Sequence, residues 1–112
     1  MLIRKNLNKL LKDIHAELSS LGIRVDRMVP FGSYALGTGG ENSDIDLAIW
    51  SPQFTGLGLI DLELYRPELR RFPGLDLKTF PAGWGKHDDP FIEVIENTGI
   101  EIPLHEEEAW IR

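Results

Sequence analysis

Between two apolar runs, GSYALGTGGENS at residues 32–43 places four glycines in twelve residues, and this stretch limits the possible folds more than any other. Glycine loses more backbone freedom on ordering than any other residue, so neither a continuous strand nor a long helix passes through such a segment. The chain must turn there, with room at 34–36 for only a turn or so of helix. The flanking runs are then two separate strands. Before the turn, IRVDRMVPF alternates apolar and charged residues and then becomes wholly apolar, which predicts a strand over about 23–31 whose far end enters the core. Pro30 has no N–H to give and marks an edge or an end of that strand. After the turn, DIDLAIW sets Asp44 and Asp46 on one face and Ile45 and Leu47 on the other, then is fully apolar through 48–50.

The rest of the chain supplies helices and a third carboxylate-bearing strand. Leu7, Leu10, Leu11, Ile14, Leu18 and Leu21 recur at helical spacing with charges between them, predicting an amphipathic helix over 4–20 that Gly22 stops. IDLELYRPELRRF predicts a second helix, with Pro67 as an interior break or restart. Pro73-Gly74 turns the chain into LDLKTF, a short strand with Asp76 and Lys78 on one face. Asp88 or Asp89 caps a further helix opening at Pro90 and running to Gly99, and IEIPL supplies a last strand. The order α-β-turn-β-α-β-α-β describes one small α/β (α+β) domain: a mixed sheet of about four strands flanked by helices.

Composition narrows the function classes. The chain has 112 residues, 42% of them hydrophobic, and carries a net charge of −6, whereas a protein binding nucleic acid through its phosphates needs a basic excess. Direct nucleic-acid binding is therefore not expected. Cysteine is absent, which removes disulfides, thiolate metal sites and cysteine nucleophiles together. Lysines interrupt every apolar run near the N-terminus, so neither a signal-peptide core nor a membrane span is present, and the expectation is a cytoplasmic protein. The acidity is concentrated at 87–112, with eight acidic residues against one basic.

Asp44 and Asp46 project from the same face of an extended segment, roughly 7 Å apart at the backbone. Two carboxylates brought to about 4 Å repel by about 4 kcal/mol at an effective dielectric near 20. A hard divalent cation removes that penalty, and oxygen-only ligation favours Mg²⁺ or Mn²⁺ over Zn²⁺. Ahead of the pair stands Gly32-Ser33. A glycine permits close approach of a phosphate to the backbone, and a serine opening a short helix offers a hydroxyl and free N–H groups. Gly-Ser followed at fixed spacing by Asp-x-Asp arises by chance about once in a thousand trials.

Gly32-Ser33-Tyr34-Ala35-Leu36-Gly37 followed by Ser43-Asp44-Ile45-Asp46-Leu47 resembles the signature of the polymerase-β-type nucleotidyltransferase superfamily, in particular its minimal nucleotidyltransferases (MNT). The resemblance covers most of residues 4–103, which sets a nucleotidyltransferase domain at 1–104 and an acidic tail at 105–112. It implies that Asp44, Asp46 and Asp76 ligate two Mg²⁺ ions, that Asp76 helps to activate the acceptor hydroxyl, and that Gly32, Ser33 and Ser43 hold the triphosphate of ATP. Asp61 competes with Asp76 for the third position. The sequence departs from the pattern at Leu36, often basic in relatives, and Lys78 is the candidate to replace that positive charge. Trp50 and Phe54 are candidates for an adenine-side wall, with core packing as the competing role of Trp50. Trp84 is a candidate for an interface or substrate contact with simple loop packing as its alternative, whereas His15, His87 and His105 are bystanders.

Proteins of this length in the resembled family are commonly antitoxins of a HEPN ribonuclease toxin. The resemblance therefore implies a hetero-oligomer with a HEPN-type partner and transfer of AMP from ATP to a tyrosine of that toxin. The alternative is neutralisation by binding alone. Transfer to an antibiotic or to RNA would require an acceptor domain or an RNA-binding region that the sequence does not contain.

Overall fold

A computed structural model describes residues 2–32, 45–70, 72 and 74–104, with side chains from residue 7 onward. The elements run α1 (Leu2–Ser20), β1 (Arg27–Phe31), β2 (Ile45–Ser51), α2 (Gly58–Leu69), β3 (Leu75–Pro81) and α3 (Phe91–Thr98). Leu7, Leu11, Ile14 and Leu18 fall on one stripe of α1 and are all buried, as the spacing predicts. The helix stops where the Ile23 N–H returns to the Leu18 carbonyl at 3.0 Å.

The strands form one mixed sheet in the order β1-β2-β3. β1 pairs antiparallel with β2, with Phe31 opposite Asp46, and β2 pairs parallel with β3, with Asp46 opposite Asp76. The parallel pair is joined by α2, as a crossover requires. Alternation along the strands divides the core in two. Met28, Leu47 and Ile49 face α1 and α2, while Val29, Phe31, Ala48, Trp50 and Phe80 face Ile92 and Ile95 of α3.

Three of the sequence-based expectations change. The first strand begins at Arg27, later than residue 23. Pro67 does not break α2, because it lies in the last turn, where its missing N–H and its ring disturb only one helical bond before the helix ends at Leu69. Among the described residues the sheet has three strands, fewer than the four expected. The expected fourth, IEIPL, does run along β1: the Ile100 and Ile102 N–H groups donate to the Pro30 and Met28 carbonyls at 2.9 and 3.1 Å. At Pro30 no N–H exists to return the bond, so the pairing there is one-sided and falls short of a full ladder. Arg27 fastens this edge. Its guanidinium lies 4.4 Å from the centroid of the Trp50 ring and pairs with Glu101 at 2.7 Å and Glu96 at 2.9 Å. The hydrogen bond to Glu101 is the main cause holding that guanidinium above its ordinary pKa.

Asp89 behaves as a start signal for α3, its carboxylate accepting the Phe91 N–H at 3.0 Å, whereas Asp88 accepts from the Gly85 N–H. No helix among the described residues is long and apolar enough to cross a membrane.

Candidate active site

The register of the two parallel strands places Asp46 of β2 beside Asp76 of β3, on the face shared with α3. Adjacent strands lie about 4.8 Å apart, so these two carboxylates are held side by side by the backbone ladder itself. Asp46 is partly buried and Asp76 exposed. On the other flank of Asp46, Phe31 is its antiparallel partner and Gly32 follows directly. Gly32 has φ of +81° and turns so tightly over the Asp46 carboxylate that a Cβ there would collide with it. The Asp46 carboxylate can pack this closely against the backbone because residue 32 has no side chain.

Lys78 lies two residues beyond Asp76 and therefore on the same face, opposite Ala48. Its ammonium stands 5.7 Å from the centroid of Phe91, whose ring meets Phe31 edge-on at 5.8 Å. The described part of the site is thus Gly32, Asp46, Asp76 and Lys78, bordered by two aromatic rings. Phe91 was not foreseen; the only signal in the sequence is a large apolar residue at the first turn of a helix, and it remains 40% exposed. Ser33, Ser43 and Asp44 lie outside the described residues. Among the described residues no three histidine or acidic side chains come together as a metal-binding cluster. The donors present, the two carboxylates of Asp46 and Asp76 on neighbouring strands, are hard oxygen ligands of the kind that fits Mg²⁺ or Mn²⁺.

Asp61, the competing third carboxylate, belongs to the frame. It is fully buried on α2 and accepts hydrogen bonds from the Thr79 hydroxyl at 2.6 Å, the Thr55 N–H and hydroxyl at 2.8 and 2.9 Å, and the Gly56 N–H at 3.1 Å. Those donors offset the cost of burying the charge and tie α2 to β3. Trp50 and Phe54 are core residues: the Trp50 indole N–H donates to the Trp84 carbonyl at 2.9 Å, and Phe54 packs edge-on against Tyr65. Trp84 packs against Phe80 at 6.4 Å and under Gly56, a loop-packing role. Burial lowers the pKa of His15 on α1, His87 is exposed in a loop, and His105 lies outside the described residues.

A cleft of about 500 Å³ opens between α2 and the outer edge of β3 and reaches Asp76. Tyr65 borders it. Burial, with further contributions from Asp61 and Asp76, pushes the Tyr65 hydroxyl up to about 12, so it remains neutral at physiological pH.

Residues 7–106 match the family model of the nucleotidyltransferase domain. No curated protein sequence matches the chain significantly. Two solved structures share the fold. One, from Sulfolobus solfataricus and described as a nucleotidyltransferase, aligns with a TM-score of 0.59 at 17% identity, covering 88% of this chain and 81% of that one. The other, a toxin-antitoxin with AMP-PNP, aligns with a TM-score of 0.57 at 19% identity, covering 89% and 79%.

Proposed function

This chain belongs to the nucleotidyltransferase domain family, and from that premise we propose that it is a Mg²⁺-dependent protein adenylyltransferase. In this reading it is a cytoplasmic antitoxin that moves AMP from ATP to a tyrosine hydroxyl of a HEPN-type ribonuclease toxin, within a hetero-oligomer. The observation that carries the reading is the pairing of Asp46 with Asp76 across β2 and β3, with Gly32 closed over Asp46. Asp44, Asp46 and Asp76 would hold divalent cations, whose chemistry is to offset phosphate charge and stabilise both the attacking and the leaving oxygens. Gly32, Ser33 and Ser43 would bind the triphosphate through backbone N–H groups and hydroxyls, and Lys78 would add a positive charge on the same face. Asp76 would accept the proton of the acceptor hydroxyl as its oxygen bonds to the α-phosphorus and the bond to pyrophosphate breaks. The 1–104 domain would carry all of these groups, with the acidic 105–112 tail outside it.

A specific observation favours the second reading, neutralisation by binding alone: Leu57, Leu59, Ile60 and Leu64 of α2 and the residue before it are exposed, as an interface would require. The two separate in one experiment. The protein is mixed with the toxin encoded beside it, Mg²⁺ and labelled ATP, in parallel with the Asp44→Asn/Asp46→Asn variant. Label on the toxin with wild type only is the expected result. Neutralisation that persists in the variant with no label transferred by either protein removes the enzymatic reading and leaves binding.

A further inference from the structure

β3 is the sheet edge on the side away from β1, and no described strand pairs with its outer side. The Ile45 N–H donates to the Gly74 carbonyl at 2.7 Å, so even-numbered residues of β3 turn their backbone groups to β2. By alternation, the N–H and C=O of Leu77 face outward, into the cleft. The opposite wall is α2, which departs from the usual surface helix. Leu62, Tyr65 and Leu69 turn inward, yet Leu59 at the lip is 84% exposed, and Leu57, Ile60 and Leu64 form a second exposed apolar stripe outside the cleft lining. A helix apolar on both sides is expected to be covered on both. This wall also carries positive charge. On a chain of net charge −6, Arg66 and Arg70 flank the cleft, and among the described residues Arg66 pairs with Glu63 at 3.7 Å.

From these observations we infer that the cleft between α2 and β3 is the docking groove for an extended, acidic segment of the partner polypeptide, which adds to the edge of β3 and delivers its acceptor hydroxyl to Asp76. The inference rests on the nucleotidyl-transfer reading for its second half. Triphosphate held at Gly32 lies on the β1 side of Asp46, while Asp76 lies on the β3 side, so an acceptor attacking in line approaches from β3. Backbone pairing with Leu77 gives register, apolar side chains fill the space beside Tyr65 and Leu69, and carboxylates pair with Arg66 and Arg70.

The test selects short random peptides displayed on phage against the folded protein and measures the binding of the enriched sequences. Alternating apolar and acidic residues are expected in those sequences, together with slowed hydrogen exchange at the Leu77 amide in the bound state. Arg66→Glu/Arg70→Glu weakens binding by about tenfold or more. So does Leu59→Asp, which alters a side chain already in solvent and leaves the melting temperature unchanged. The proposal is overturned if no peptide is enriched, if the variants bind equally well, or if protection appears away from β3. Mg²⁺·ATP binding is measured alongside: peptide failure with ATP binding intact removes the docking groove alone, and absent ATP binding removes the transfer reading alone.

Discussion

A methyl group at Gly32 would meet the Asp46 carboxylate and would also hold a side chain at φ of +81°. Gly32→Ala is accordingly expected to cost about 1–3 kcal/mol of stability through backbone strain and overpacking. It should also displace Asp46 and abolish Mg²⁺·ATP binding at temperatures where the variant is still folded; calorimetric unfolding and titration check the two effects separately. Asp61 has the opposite profile. Removing its carboxylate leaves the Thr55 and Thr79 hydroxyls and two backbone N–H groups without that acceptor, so Asp61→Ala should lose about 3 kcal/mol or more. Asp61→Asn, which keeps one acceptor oxygen, should lose less. Denaturant melts rank the two, and ATP affinity at low temperature should remain near wild type in both. These residues also show how far the site could be read from sequence. Asp61 and Asp76 sit in nearly the same local context, Ile-Asp-Leu and Leu-Asp-Leu. Distant donors separate them: Thr55, Gly56 and Thr79 converge on Asp61, whereas the β2 ladder brings Asp76 to Asp46.

Among the elements, α1, β2 and β3 follow from periodicity, because each is apolar on a face that the pattern identifies. The closing segment does not, because its pairing depends on what β1 can offer. Gly99 sets its approach: a Cβ there would lie 2.5 Å from Val29 Cγ1 and 2.7 and 2.8 Å from the Ile95 and Pro30 carbonyl oxygens. Two of those three neighbours are backbone and cannot move aside. Gly99→Ala is therefore expected to push residues 100–102 off β1 and cost about 1–3 kcal/mol. Faster hydrogen exchange at the Ile100 and Ile102 amides would report it, while exchange within β2 stays slow. The apolar second face of α2 was equally hard to read, since single leucines in a helix do not reveal whether the fold or a partner covers them.

At the scale of the whole molecule, a net charge of −6 opposes the approach of ATP, itself a polyanion. On the proposed function, removing divalent cations with EDTA should weaken ATP binding by about tenfold or more, since no cation then stands between the phosphates and the like charges of Asp46 and Asp76. Raising the salt concentration without Mg²⁺ should recover part of the loss, because screening over about 10 Å at 0.1 M dampens the repulsion. Isothermal titration across salt concentrations checks the sign, and affinity falling with salt in EDTA would contradict it. The two edges of the sheet are also unequal. Residues 100–102 run along the β1 edge, and among the described residues nothing pairs with the β3 edge. Fibre growth by edge pairing needs two open edges per molecule, and among the described residues only the β3 edge is wholly unpaired. Two copies meeting β3 to β3 would each cover the open edge of the other, so association through that edge stops at a pair.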